Sequence, residues 1–125
     1  MDPIAQMFTN ILNAKNADQK KLTVQFSKLK MGILSILKEH GYVDDFKENK
    51  IDKFTYIEIK LRDINKLNGI RRISRPGRRY YATSSRIPLL KGSRGIIIIS
   101  TSQGLMNGED ARKKGLGGEV IAEVN

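Results

Sequence analysis

The sequence predicts an α+β protein built as two small α/β units, an N-terminal α-β-α-β-β unit and a C-terminal unit that is mostly β with one short helix. Three observations carry this expectation. Apolar residues recur at helical spacing in two stretches of the first half. In the second half, glycine, proline and hydroxyl-rich segments cut the chain into runs of strand length. The charge also changes along the chain: residues 1–63 hold 11 basic and 9 acidic side chains, whereas residues 64–125 hold 12 and 4. The apolar period breaks down at the join. The expected division is therefore an N-terminal α/β domain at 1–63, a linker at 64–69 and a C-terminal mainly β domain at 70–125. A chain of 125 residues with 39% apolar content suits one ordinary domain or two small ones sharing a core.

The first helix opens at Asp2-Pro3, because proline is tolerated in a first turn whose N–H groups have no partner. Ile4, Met7, Phe8, Ile11 and Leu12 form its apolar face. Leu22, Val24 and Phe26 alternate with polar neighbours and predict a strand. Ser27 is placed to cap a second helix whose inner face is Leu29, Ile33, Ile36 and Leu37, and Gly41 ends it. Residues 42–46 and 55–61 read as two further strands joined by a polar loop at 48–53. Beyond the linker, strands are expected at 70–74, 79–83, 96–101 and 119–124, with a turn at Pro76-Gly77. Four consecutive isoleucines, Ile96 to Ile99, fit a central strand buried on both faces. A short helix is expected at 108–114, capped by Asn107, with Glu109 and Asp110 in its first turn and basic residues in its last.

Composition narrows the chemistry. The formal charge is +10, and between Asp63 and Glu109 there are nine Lys or Arg residues and no carboxylate. Such a stretch attracts a polyanion. The absence of cysteine excludes disulfides and thiolate zinc sites. The longest apolar run falls far short of the roughly 20 residues that span a bilayer, so no membrane partner is expected. The opening residues do not read as a signal or transit peptide, and the protein is expected to act where it is made. His40 reads as a helix-end residue, since no nucleophile or second ligand accompanies it. Asp44 and Asp45 point to opposite faces if they lie on a strand, a poor arrangement for sharing Mg²⁺. No cofactor, metal or small-molecule substrate is expected, and no enzyme.

Four segments remain as candidate sites. Gly117 and Gly118 fit a turn, and their missing Cβ atoms also fit close approach of a ribose. The Gly92 to Gly95 segment reads as a turn. The run Arg75-Pro76-Gly77-Arg78-Arg79-Tyr80-Tyr81 combines guanidinium groups that reach phosphate with tyrosines that stack on bases. It equally fits a basic hairpin with one tyrosine in the core, since alternation sends Tyr80 and Tyr81 to opposite faces. Ser100-Thr101-Ser102-Gln103-Gly104 offers hydroxyls that both donate and accept, suited to a 2′-hydroxyl or a minor-groove base edge. The same pentapeptide fits a polar loop capping the following helix. A general DNA-binding protein and a metal-dependent nuclease acting through Asp44 and Asp45 are the rival readings.

Several of these segments resemble small-subunit ribosomal protein eight in its bacterial or organellar form. The resemblance is carried by the run from Ser100 to Met106, by Asp110-Ala111-Arg112-Lys113 and by Gly115-Leu116-Gly117-Gly118-Glu119-Val120-Ile121. The hairpin from Ile73 to Arg79 with Tyr81 adds to it, as do Asp2-Pro3-Ile4-Ala5, Asn13-Ala14, Ser27-Lys28-Leu29-Lys30 and Gly41-Tyr42-Val43. It is collinear over nearly the whole chain. It implies two α/β domains and a primary rRNA-binding protein of the central domain of small-subunit rRNA, needed for assembly and able to repress its own mRNA. It also implies neighbouring small-subunit ribosomal proteins as partners and a place in the small subunit of a cytoplasmic or organellar ribosome. Carried over by position, the RNA-binding residues are Ser100, Thr101, Ser102, Gly104, Tyr81, Gly117, Gly118 and Glu119, with Lys28 and Lys30 from the first domain. The cationic hairpin adds Arg78 and Arg79. Asn10 and Leu12 depart from the arginines usual in the first helix, Gln103 from a common lysine, Asn107 from a usual threonine cap, and Asn125 from a common aromatic or small apolar end.

Overall fold

The structure, a computed structural model, describes residues 2–61, 67, 69–87 and 95–125. It divides into two compact units, one of residues 3–67 and one of residues 68–125 together with Asp2. Residues 64–66 and 68 of the expected linker lie outside the described residues, as do Lys66, Lys91, Arg94 and most of the Gly92 to Gly95 turn.

The N-terminal unit runs α1 (Pro3–Asn16), β1 (Lys21–Gln25), α2 (Lys28–Glu39), β2 (Asp45–Ile51) and β3 (Phe54–Lys60), the predicted element order. Its sheet is antiparallel in the order β1-β3-β2. Ile4, Met7, Phe8 and Ile11 of α1 are buried, as are Ile33, Leu34 and Leu37 of α2 and Val24, Ile57 and Ile59 of the sheet. Ser27 caps α2 as expected, its hydroxyl accepting from the Lys30 N–H at 3.1 Å, a contact worth about 1 kcal/mol.

The strand expected at 42–46 begins later. Gly41 takes a φ of +80°, its N–H donates to the Lys38 carbonyl, and the Tyr42 N–H donates to Leu37. These paired bonds satisfy the carbonyls at the end of α2 and keep Tyr42 out of the sheet. Tyr42 and Val43 are buried all the same. The polar segment expected as a loop is instead the body of β2. It pairs with β3 as far as Ile51 opposite Phe54, leaving Asp52-Lys53 as a two-residue turn. An edge strand with little burial shows no apolar alternation, so its period is invisible in sequence.

The C-terminal unit holds β4 (Ile70–Arg72), β5 (Tyr81–Ala82), β6 (Ile96–Thr101), β7 (Gly104–Asn107), α3 (Gly108–Lys113) and β8 (Gly118–Val124), with a 3-10 turn at Ser84–Arg86. The five strands form one sheet in which β8 pairs with β4, β5 and β6, and β6 with β7. A bulge shifts the β6–β8 register between Ile98 and Ile99, leaving Ile121 without an opposite residue. Ile97, Ile98 and Ile99 are buried, as the isoleucine run predicts. Ile97 and Ile99 join Val120, Ile87 and Ala111 of α3 in one apolar cluster. β4 and β5 are shorter than expected. The chain between them closes in a tight turn, with Arg75 and Arg78 exchanging backbone hydrogen bonds of 3.0 and 2.9 Å.

Candidate nucleic-acid interface

Strand register gathers several of the predicted residues into one row. Tyr81 of β5 lies opposite Glu119 of β8, which lies opposite Ser100 of β6. Directly paired residues share a face of the sheet. Tyr81 is 68% exposed and Tyr80 47%, so neither tyrosine is core. Both carboxylate oxygens of Glu119 accept from Arg79 Nη1, at 3.2 and 3.1 Å. The row therefore offers a stacking ring, a carboxylate paired with arginine, and a hydroxyl.

Ser74, which the sequence reading did not single out, holds the tyrosines in place. It is fully buried, its Oγ accepts from the Tyr80 N–H at 2.7 Å and donates to the Tyr80 carbonyl at 3.2 Å. One hydroxyl thus supplies both bonds that a facing backbone residue would make. The Tyr80 carbonyl also accepts from the Val120 N–H at 2.9 Å, tying the segment to β8. A serine before a proline turn gives no sequence signal for this role, since surface turns use serine as freely.

The hydroxyl segment is a hairpin turn between β6 and β7, a strand the sequence reading missed. Thr101 pairs with Gly104. The Thr101 hydroxyl donates to the Gly104 carbonyl at 2.8 Å and accepts from the Gln103 N–H at 3.1 Å. Gly104 has a φ of +108°, a conformation that excludes most side chains. Thr101 and Gly104 shape the turn, and Ser102 stands exposed at its tip. The segment does not cap the following helix; Asn107 does, its Oδ1 accepting from the Asp110 N–H at 2.8 Å.

Gly117 and Gly118 line an open groove of about 530 Å³ with Tyr81, Thr83 and Ser84. Their missing Cβ atoms are not room for a ligand. A Cβ on Gly117 would lie 2.5 Å from the Ala82 carbonyl oxygen, and one on Gly118 would collide with the Ser100 carbonyl oxygen. The chain's own backbone fills both places, which sets β5 and β6 close against β8.

The cations divide into paired and open ones. Arg71 pairs with Glu123 at 2.8 Å and Arg79 with Glu119. Arg75, Arg78 and Arg86 are exposed, with no ion-pair partner among the described residues. In the N-terminal unit Lys28 is exposed, whereas Lys30 is buried and its ammonium donates to the Gln25 carbonyl at 3.0 Å. Burial pushes the Lys30 ammonium below its ordinary pKa. Asp45 bonds Lys38 at 3.0 Å, and this bond, with the Phe46 N–H, holds its carboxyl below the ordinary range. Among the described residues no three His, Asp or Glu side chains gather as a metal would require. No helix among them is long and apolar enough to cross a membrane.

The profile of the family described as "Ribosomal protein S8" matches residues 2–125. The small ribosomal subunit protein uS8 of Corynebacterium jeikeium is 43% identical over 127 aligned residues, covering 98% of this chain and 96% of that protein. The uS8 protein of Mesomycoplasma hyopneumoniae strain J is 41% identical over 125, covering 98% and 95%.

Proposed function

The chain belongs to the ribosomal protein S8 family, structural rather than catalytic components of the ribosome, and from that premise we propose that it binds rRNA directly within the small subunit. Its partners are rRNA and neighbouring small-subunit proteins. The specific target is an irregular helix in the central domain of small-subunit rRNA, and binding there supports subunit assembly in the compartment of synthesis, the cytoplasm for a bacterial protein. The same surface represses the protein's own mRNA where that mRNA offers a similar helix.

The observation that carries the reading is the Tyr81–Glu119–Ser100 row, with the exposed Ser102 tip beside it and open arginines nearby. Arg75, Arg78 and Arg86 supply salt-dependent attraction to the RNA backbone. Tyr81, Ser100 and Ser102 present a ring and hydroxyls to bases and 2′-hydroxyls. Lys28 extends the cationic surface of the N-terminal unit; Lys30, committed to Gln25, does not belong to it.

Chemical footprinting on small-subunit rRNA tests the reading. A discrete protected helix in the central domain is expected, lost with Tyr81→Ala combined with Ser102→Ala. Equal affinity for duplex DNA, or no discrete footprint, would overturn it.

A further inference from the structure

The N-terminal sheet has one buried face and one open one. On the open face, the ladder sets Gln25, Tyr56 and Asn49 side by side across β1, β3 and β2. The next row toward the hairpin turn is Ile51 opposite Phe54, 57% and 62% exposed. The Phe54 and Tyr56 rings lie 6.4 Å apart on the central strand. Beyond Tyr56 in the other direction come Lys47, opposite Glu58, and then Lys21 and Lys60. Asp45, in the row of Lys60, is already held by Lys38.

We propose that this open face is a second nucleic-acid platform that takes single-stranded RNA by stacking unpaired bases on Phe54 and Tyr56. Exposed Phe54 and half-buried Tyr56, neighbours on the central strand, offer two rings to successive unpaired bases, with amides beside them to meet base edges. Asn49 and Gln25 can both donate and accept, so they suit base edges without demanding one sequence. Lys21, Lys47 and Lys60 outnumber Glu58, the carboxylate that shares their face with Asp45, and lie where a strand crossing the rings would carry its phosphates.

A protein partner fits less well. The apolar part of the face is three side chains, Ile51, Phe54 and Tyr56, ringed by amides and charges. A stable protein interface needs about 800 Å² per partner and a core depleted of charge. The platform goes beyond the row in the C-terminal unit, which presents one exposed ring and its hydroxyls to a folded helix.

The chain contains no tryptophan, so Phe54→Trp places a single reporter on the platform. Titration with oligoadenylate of about eight nucleotides should quench its fluorescence saturably. Tyr56→Leu, which keeps apolar bulk on the strand but removes the ring, should weaken binding about fivefold or more. Lys47→Gln with Lys60→Gln should flatten the salt dependence while the quench persists at low salt. Tyr81→Ala with Ser102→Ala should leave the quench unchanged, separating this site from the C-terminal one. Absence of saturable quenching, equal binding after Tyr56→Leu, equal quenching by duplex RNA, or dependence on Tyr81 would each overturn the proposal. So would quenching by another small-subunit protein where the oligonucleotide gives none.

Discussion

Gly118 and Ser100 meet across the β6–β8 ladder so closely that the Ser100 carbonyl oxygen occupies the place of a Gly118 Cβ. The position of the hydroxyl row is therefore set by an absent side chain. β8 can approach β6 at that point only as glycine, and Ser100 stands where that approach leaves it.

Gly118→Ala should push β6 away from β8, costing about 1–3 kcal/mol by overpacking and weakening rRNA binding in step. Gly77→Ala is the control. Nothing lies within 4 Å of a Cβ at Gly77 and its φ is not positive, so this change should be neutral or stabilise by about 0.4–1 kcal/mol. Urea denaturation of both variants checks the contrast, and equal stabilities would refute it.

Ser74→Ala strips the Tyr80 N–H of its 2.7 Å partner, the hydroxyl of a fully buried serine. A loss of about 1–3 kcal/mol is expected. The Tyr80 amide should also exchange with deuterium faster than its neighbours. A variant as stable as the parent would mean the hydroxyl does not brace the tyrosines.

Salt dependence separates two kinds of contact. Ser102→Ala should weaken binding to the specific RNA helix and leave the slope of log affinity against log salt unchanged. Arg79→Ala should lower affinity for any RNA and reduce that slope by about one, provided Arg79 exchanges Glu119 for a phosphate. An unchanged slope in Arg79→Ala would mean the arginine stays with Glu119 in the complex.

Asp45 gives a pH signature. Its folded pKa lies below the ordinary 3.8, held there first by Lys38. A carboxylate depressed in the fold stabilises above its unfolded pKa, and that contribution is lost as pH falls through the folded value. The parent should thus lose stability more steeply below about pH 4 than Asp45→Asn does. Coincident acid limbs in thermal melts at stepped pH would show that the pair contributes nothing.

Much of this fold is written in local chemistry that can be read without coordinates. Ser27, Gly41 and Asn107 mark helix ends because caps need particular side chains or a positive φ, and the isoleucine run marks a strand because only a buried one tolerates it. β7 escaped notice because Leu105 and Met106 are too short a run to show a period. The true extent of β2, Asp45–Ile51 rather than 42–46, escaped because an edge strand alternates no apolar residues. The proposed site is legible by residue type at Tyr81, Ser100 and Ser102. The roles of Ser74, Gly117 and Gly118 depend on what lies across the sheet, which no local pattern records. Lys30 enters the expected contacts by family resemblance, and position in the sequence does not reveal that this lysine of α2 turns inward to the Gln25 carbonyl.

The bulge at Ile121 has an electrostatic consequence. In an unbroken strand Glu119 and Glu123, four residues apart, would point to the same side. The extra residue reverses the alternation between them, so Glu119 shares a side with Ser100 and Glu123 shares one with Ile97. Each carboxylate then meets its own arginine, Arg79 on one side and Arg71 on the other. An acid-poor sheet thereby keeps its two strand glutamates off a common face. A strand that kept every residue but lost the bulge would turn both glutamates to one face.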